Sequence, residues 1–498
     1  MTVAARALFM LFLAALAGGG AVAQEPVGTE AAGVLASARL SVSTPLGEGV
    51  LLLEGFRGQE AISSLFAFEL DLLAPDGRDI PFEAVLGKEF RVTIALADGS
   101  TRHFSGICSR FARSDRGSLT RYEAGIVPRF WLLTRRQDSR IFQEKSVPQI
   151  LAQVLGGIPD HGFELRLQGT FQPRDFVVQY GETDFAFVSR LMEDEGIFYF
   201  FRHGADGHTM VIANTPQDHP DLPVAVPYRR DTTIPRPGSI ATWEKAQEVR
   251  SGKYTLRDYN FELPGQTLEE SATIQQSVQV GPVVHSLGVA GNDQFEIYDY
   301  PGGYAQRFDG VDPAGGERPA ELAKIFEDAR RTAGLRMQEE ATRSLSIRGT
   351  STAPVLAAGH RFSLSMHPEA AGSYVLTSVR HAARAAAGGS LGVYGNAFTC
   401  IPAALPYRPP GTTPKPVIPG PQTAIVVGPP GEELFTDKYG RVKVQFHWDR
   451  QGQRDGSSSC WVRVASLHAG TESGFTAIPR IGWEVVVSFE DGDPDRPI

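Results

Sequence analysis

Eight prolines fall between residues 401 and 423: Pro402, Pro406, Pro409, Pro410, Pro414, Pro416, Pro419 and Pro421. Each fixes φ and removes a backbone donor, so the stretch can form neither a helix nor a central strand. The spacing predicts a stiff linker that divides the chain into a long N-terminal part and a short one, residues 424–498. At 498 residues there is room for about three domains. Hydrophobic residues make up 42% and charged residues 21%, which argues for packed cores and against disorder. A net charge of −9 counts against nucleic acid as the main partner, because phosphate binding needs surplus Lys and Arg.

Upstream of the prolines the pattern is one of short strands. Phe66 to Leu72 alternates with period two. Phe90 to Leu96 does the same and runs into Asp98-Gly99, a strong hairpin signal, before His103 to Ile107. Strands joined by tight turns suggest an antiparallel barrel or sandwich rather than βαβ units. Three helices interrupt them. Ser146 can cap Val147 to Leu155. Asp184 can cap a second, with Phe187, Val188, Leu191 and Met192 on one stripe and Gly196 as the stop. A third is expected over about 319–342, with Leu322, Ile325, Phe326, Ala329, Ala333 and Met337 facing a core. Four β runs after the prolines (Ala424 to Val427, Val442 to Trp448, Cys460 to Ala465, Trp483 to Phe489) suggest an OB-type barrel, with a sandwich as rival.

Catalytic motifs are absent: there is no HExxH, GxSxG or EF-hand loop. Gly87-Lys88 resembles the end of a phosphate loop, but Phe82 replaces its first glycine and Glu89 its Ser or Thr, so Gly87 reads as a turn residue. Glu193, Asp194 and Glu195 cannot form a catalytic pair from adjacent helix positions and read as a solvated helix face. His203, His208 and His219 lack metal-ligand spacing. Cys108, Cys400 and Cys460 lie far apart without a CxxC, which fits neither a disulfide framework nor a zinc site. Phe446 and Trp448 share a strand face with Val442 and Val444 and are expected in a core, leaving Lys443, Gln445 and His447 on the other face. Trp461 is either edge-packed or buried against a neighbouring subunit. No catalytic, cofactor-binding or metal site is assigned.

Two segments carry a family resemblance. Arg174 to Tyr180, Glu182-Thr183-Asp184 and Arg190 to Ile197 look like the signature of VgrG proteins, the spikes of the bacterial type VI secretion system. Gly428 to Arg450 resembles the start of that family's OB-fold, Ala477 to Gly482 and Gly492 to Pro497 resemble its end, and Tyr298-Asp299-Tyr300-Pro301-Gly302 is also family-like. The resemblance implies a mainly β fold with α/β insertions: phage-hub-like β-barrel tube domains followed by a C-terminal OB-fold barrel. The expected domains are a signal-like extension (1–37), a first hub barrel (38–170), an α/β insertion (171–235), a second hub barrel with the long helix (236–400), the linker (401–423) and the OB domain (424–498).

It also implies a mechanical, non-enzymatic role. A homotrimer would sit on the Hcp hexamer ring, contact baseplate proteins, and carry a PAAR tip and effectors through a β-helix expected after Pro497, where the sequence reads as cut. Membranes would be met only by puncture, and assembly would be cytoplasmic before secretion. Arg6, the apolar run Ala7 to Ala17 and Ala21-Val22-Ala23 nevertheless have the layout of a secretory signal peptide. That layout conflicts with the family pattern, so translation is expected to start near Leu40, or the leader to be an oddity. Rival readings are a phage or prophage tail hub, a spike with an effector enzyme beyond residue 498, and a glycan-binding OB module.

Overall fold

The computed structural model describes residues 39–498 apart from 75–78, 97–98, 117–118, 159–161, 231–237, 387–389 and 471–472, so the signal-like leader lies outside the described residues. Six strands open the fold: β1 (Arg39–Ser43), β2 (Leu52–Ala61), β3 (Ala67–Ala74), β4 (Glu89–Ala95), β5 (Thr101–Arg116) and β6 (Leu119–Val127). They pair antiparallel in the order β1-β4-β5-β6-β3-β2. Period-two alternation sends Phe68, Leu70, Leu72, Val92 and Ile94 into one core. The β4–β5 hairpin closes through Ala95 opposite Thr101, with Gly99 at φ +83° in the turn; Asp98 lies outside the described residues.

The sheet does not stop at residue 170. β2 pairs antiparallel with Gly372–Ala385, and that strand pairs with Leu391–Pro402, making one sheet of twelve strands. A bridge from Arg39 to Ser390 brings β1 back to the far end of the same hairpin. The first barrel is therefore completed by residues more than 240 positions after its last own strand. The other half of the hairpin packs Tyr374, Leu376, Val379 and Phe398 into a second core with Ile240, Ile347 and Phe362. The two expected hub barrels thus share strands, because alternation reports which face is buried and not which strand lies alongside.

Between them lie α1 (Val147–Leu155), started by the expected Ser146, which with Gln149 forms a capping box, and α2 (Asp184–Asp194). Thr183, not Asp184, caps α2: its Oγ1 accepts from Ala186 N at 3.1 Å. Asp184 is left to bind Arg136 and Arg140 at 2.6 and 2.7 Å. The long helix, α3 (Ala323–Ser344), follows a 3₁₀ turn at Pro319–Leu322. It buries Ile325, Ala329, Ala333 and Met337, whereas Phe326 faces solvent, 41% exposed. The proline segment, expected as a stiff linker, is laid down as a strap, with Leu405 and Ile418 buried. Beyond it, strands Gln422–Val427, Lys443–Phe446 and Glu484–Val487 form a small sheet around Val426, Val444, Phe446 and Val462. The expected run Cys460 to Ala465 contributes a single bridge, Val442 to Val462.

At the seam where β2 meets Gly372–Ala385, Glu60 is buried with Arg102 at 3.0 Å and His381 Nε2 at 3.2 Å. Burial alone would raise this carboxyl, but Arg102 and the His203 and His381 contacts hold it well below the ordinary range. Asn396 Nδ2 donates to the Tyr394 hydroxyl, which can donate to His381 Nδ1, leaving His381 Nε2–H for Glu60. Replacing Glu60 with Ala strands Arg102 in the interior, and we expect a loss of about 3–5 kcal/mol in urea unfolding. A loss below about 0.5 kcal/mol would show the pair to be dispensable.

Candidate functional site: the charged joint

The C-terminal end of α2 carries Glu193, Asp194 and Glu195, the residues expected to face water. They do not. Asp194 accepts from Arg174 at 2.6 Å, Arg307 at 2.7 Å and Arg336 at 3.1 Å. Glu195, 5% exposed, pairs with Arg174 and with Arg331, the latter at 2.5 Å. Asp328 of α3 closes the lattice, binding Arg307 at 2.7 Å and Arg331 at 2.6 Å. Burial raises the Asp194 carboxyl, but Arg307, Arg174 and Arg336 outweigh it and hold it well below the ordinary carboxylate range. Asp328 is lowered in the same way, by Arg307 and Arg331 against burial. Glu193 instead takes the Thr413 amide at 2.9 Å and its hydroxyl at 2.7 Å, pinning the proline strap. Arg408 of the strap donates to the carbonyls of Gly196 and Asn214 at 2.9 and 2.7 Å.

A second group docks the C-terminal barrel onto the hub. Arg441 holds Asp437 of its own turn at 2.6 Å and grips Asp309 with both terminal nitrogens, at 2.7 and 2.8 Å. Its guanidinium lies over Phe261, 5.1 Å from the ring centre, and Arg463 lies over the same ring at 5.1 Å. Next to Asp309, Arg318 binds Asp175 at 2.7 Å. Asp175 is pushed up to about 7, by burial first and with a contribution from Asp309, against the pull of Arg318. On the other side, Asp495 accepts from the Val178 amide at 2.6 Å, and Gln422 donates to the Tyr180 hydroxyl at 2.7 Å.

The tryptophans belong to this joint. Phe446 is in the core as expected, but Trp448 is only half-buried, stacked on Phe446 at 5.1 Å and set against Tyr180 at 5.5 Å. Trp461 is buried within its own chain, its indole donating to the Asp312 carbonyl at 2.8 Å. The strand face expected to be polar is only partly so: Lys443 and Gln445 are buried, and the Lys443 ammonium donates to Ser459 O at 2.8 Å beneath the Trp461 ring. Of the histidines, His203 and His208 face each other across a strand pair, with ring centres 6.2 Å apart, while His219 stacks on Phe198 elsewhere. Ser105 N donates to His203 Nδ1 at 3.2 Å, which places the ring proton on Nε2. Among the described residues no group of three or more His, Cys, Asp or Glu side chains is arranged to hold a metal. Cys108, Cys400 and Cys460 are free and associate with three separate cores.

A β-rich hub continued into a docked small barrel is the class this architecture defines, and comparison with known proteins specifies it. The family described as the phage tail baseplate hub matches residues 59–387, and the type VI secretion system/phage-baseplate injector OB domain matches residues 434–498. The type VI secretion system spike protein VgrG1b of Pseudomonas aeruginosa is 40% identical over 468 residues, 92% of this chain and 59% of that protein. VgrG1a of the same organism is 39% identical over 470 residues, covering 92% and 68%. The chain therefore spans about three-fifths to two-thirds of these relatives. The E. coli c3393 protein, a type VI secretion system component structurally similar to the T4 tail proteins gp27 and gp5, superposes with a TM-score of 0.61 at 21% identity, over 92% of this chain and 98% of that one. The chain belongs to the VgrG family of type VI secretion system spike proteins. The expected hub-plus-OB fold stands with it.

If the end of α2 is a joint, Asp194→Ala costs about 3–5 kcal/mol of stability. Glu193→Ala, which removes hydrogen bonds to one threonine, costs about 1 kcal/mol. A solvated face would give less than about 0.5 kcal/mol for both in urea unfolding. The pH dependence has two parts. Asp194 and Asp328 add stability that is complete above the unfolded carboxylate value of about 3.9 and lost as pH falls through their lower folded values. Asp175 acts oppositely: folding keeps its proton, so its contribution is withdrawn as pH rises from about 4 to about 7. Asp175→Asn should raise stability at pH 8 relative to wild type, read from thermal unfolding across that range.

Proposed function

We propose that this chain is the hub and OB portion of a puncturing tip in a type VI secretion apparatus. Three copies would form a trimer seated on the Hcp hexamer ring, held by baseplate proteins, with a PAAR tip and effectors carried by a C-terminal β-helix. The chain would be assembled in the cytoplasm and exported by the apparatus. It would do no turnover: its part is to pass force from tube to tip. The observation that carries this reading is the joint between hub and OB barrel, where Asp309 binds Arg441 with two hydrogen bonds and Asp495 binds the Val178 amide. Such contacts fix one orientation between the two parts, as a driven needle needs. A relative named actin cross-linking toxin VgrG1, from Vibrio cholerae, is 33% identical over 479 residues that make up 40% of its length. That relative supports a second reading, an effector domain attached to the same body.

The test is deletion of the gene in its own strain with the other spike genes removed, reading Hcp in the culture supernatant. Loss of Hcp export, restored by the full-length gene, supports the proposal. Complementation with Arg441→Met should restore export poorly, although the full-length protein still runs as a trimer in native mass spectrometry. Export unchanged by the deletion, or a monomeric full-length protein, would overturn it.

A further inference from the structure

An open hollow of about 280 Å³ lies where β1 ends beside the start of β4, lined by Ser43, Thr44, Lys88, Glu89 and Arg91 among others. The backbone around it is well fixed. Ser43 pairs with Arg91 at the last register position of β1 and β4. Gly87, at φ +73°, turns the chain into β4, and its amide donates to Cys108 O at 2.8 Å. Cys108 N returns a bond to Lys88 O at 2.9 Å. Gly87 is thus a turn residue, as its sequence suggested, and the consequence of that turn is to set Lys88 at the rim of the hollow.

The lining is one-sided in its chemistry. Neither Lys88 nor Arg91 has an ion pair or side-chain hydrogen bond among the described residues, and the Arg91 Nε is buried with no partner at all. That nitrogen is closed off from solvent, so it is the terminal nitrogens of the half-buried Arg91 that can face the hollow. Glu89 does not pair with either cation: its Oε2 is engaged by Arg129 at 3.2 Å and its Oε1 lies beside Gly207. Thr44 Oγ1 accepts from Leu46 N at 3.3 Å, which leaves its hydroxyl hydrogen free to donate, as is that of Ser43. Along the same face His103 is lowered by burial first and then by the charges of Arg91 and Arg102. Lys88, Arg91, Ser43 and Thr44 therefore bring donors to a lining whose one carboxylate is half engaged.

We propose that this hollow is a binding site for a small oxyanion of the phosphate or carboxylate class, with Lys88 and Arg91 supplying the charge and Ser43 and Thr44 the hydroxyl donors. Arg91 presents a planar fork suited to two oxygens of one anion, and Lys88 a mobile point charge. The site is independent of the joint and of the spike role, so it stands or falls separately from them.

Thermal unfolding of the full-length protein, in sodium phosphate, sodium succinate or sodium chloride of matched ionic strength, tests it. At about 10 mM anion, roughly ten times a millimolar Kd, the wild-type midpoint should rise by about 2 °C over chloride. Arg91→Met and, independently, Lys88→Met on the exposed turn should each remove that rise. Arg57→Met, which breaks a surface pair with Glu69 on the same sheet, should keep it. A rise with phosphate alone identifies a phosphoryl site, and a rise with succinate alone a carboxylate site. No rise over chloride in wild type, or a rise that survives both Arg91→Met and Lys88→Met, would overturn the proposal.

Discussion

Three carboxylates drawn together, Glu195 and Asp328 buried and Asp194 mostly so, dictate where Arg174, Arg307, Arg331 and Arg336 go. Desolvating that many charges is costly unless nearly every lone pair and N–H finds a partner. Meeting that condition requires the end of α2, the first residue of the strand Arg174–Thr183, the loop around Arg307 and the middle of α3 to meet at one point. Other placements follow from it. With α3 fixed, its face of Ile325, Ala329 and Ala333 closes over Leu256, Leu268 and Tyr304. With α2 fixed, Glu193 can catch the proline strap at Thr413, and the strap delivers the chain to the C-terminal barrel.

Much of the local structure was legible. Alternation located the strands from Phe66 to Ile107, a capping signal located α1 and apolar stripes located α2 and α3, because all of these depend on neighbours a few residues away. The shared hairpin Gly372–Ala385 and Leu391–Pro402 was not legible as part of the first barrel. Its residues announce burial but not their partner in β2, more than 300 positions earlier. The joint failed for the same reason. Glu193-Asp194-Glu195 reads as a solvated run because polar residues at a helix end usually are, and Arg307, which takes Asp194 out of water, lies 113 positions away. Lys443 illustrates the parallel error in a strand. Strict alternation assigns it to solvent, but the barrel is docked on the hub, so both faces of that strand are covered.

The family resemblance reached further than local physics because its quoted residues are joint residues. Arg174, Asp175, Val178, Tyr180, Asp194 and Glu195 lie in the first segment, and Asp437, Arg441, Lys443 and Trp448 in the second. These two stretches, more than 230 positions apart, meet in space through Gln422, Tyr180 and Trp448 on one side and through Asp175, Arg318, Asp309 and Arg441 on the other. A motif spread along the sequence is thus one contact surface in the fold.

Why the joint is built from charge rather than from apolar packing alone follows from what an interface between two β units must resist. A purely apolar contact is non-directional and tolerates sliding at modest cost. A guanidinium held by Asp437 from within its own turn, and gripping Asp309 across the interface, loses its geometry on a displacement of about 1 Å. Because Arg441 is only 3% exposed, water cannot replace the lost contacts cheaply. Lysine at this position would keep the charge but not the fork, and it could not lie flat on Phe261, so even the conservative exchange would loosen the joint. The buried charges therefore specify direction: they allow the barrel one orientation on the hub, and the apolar cores on either side maintain each part's shape around it.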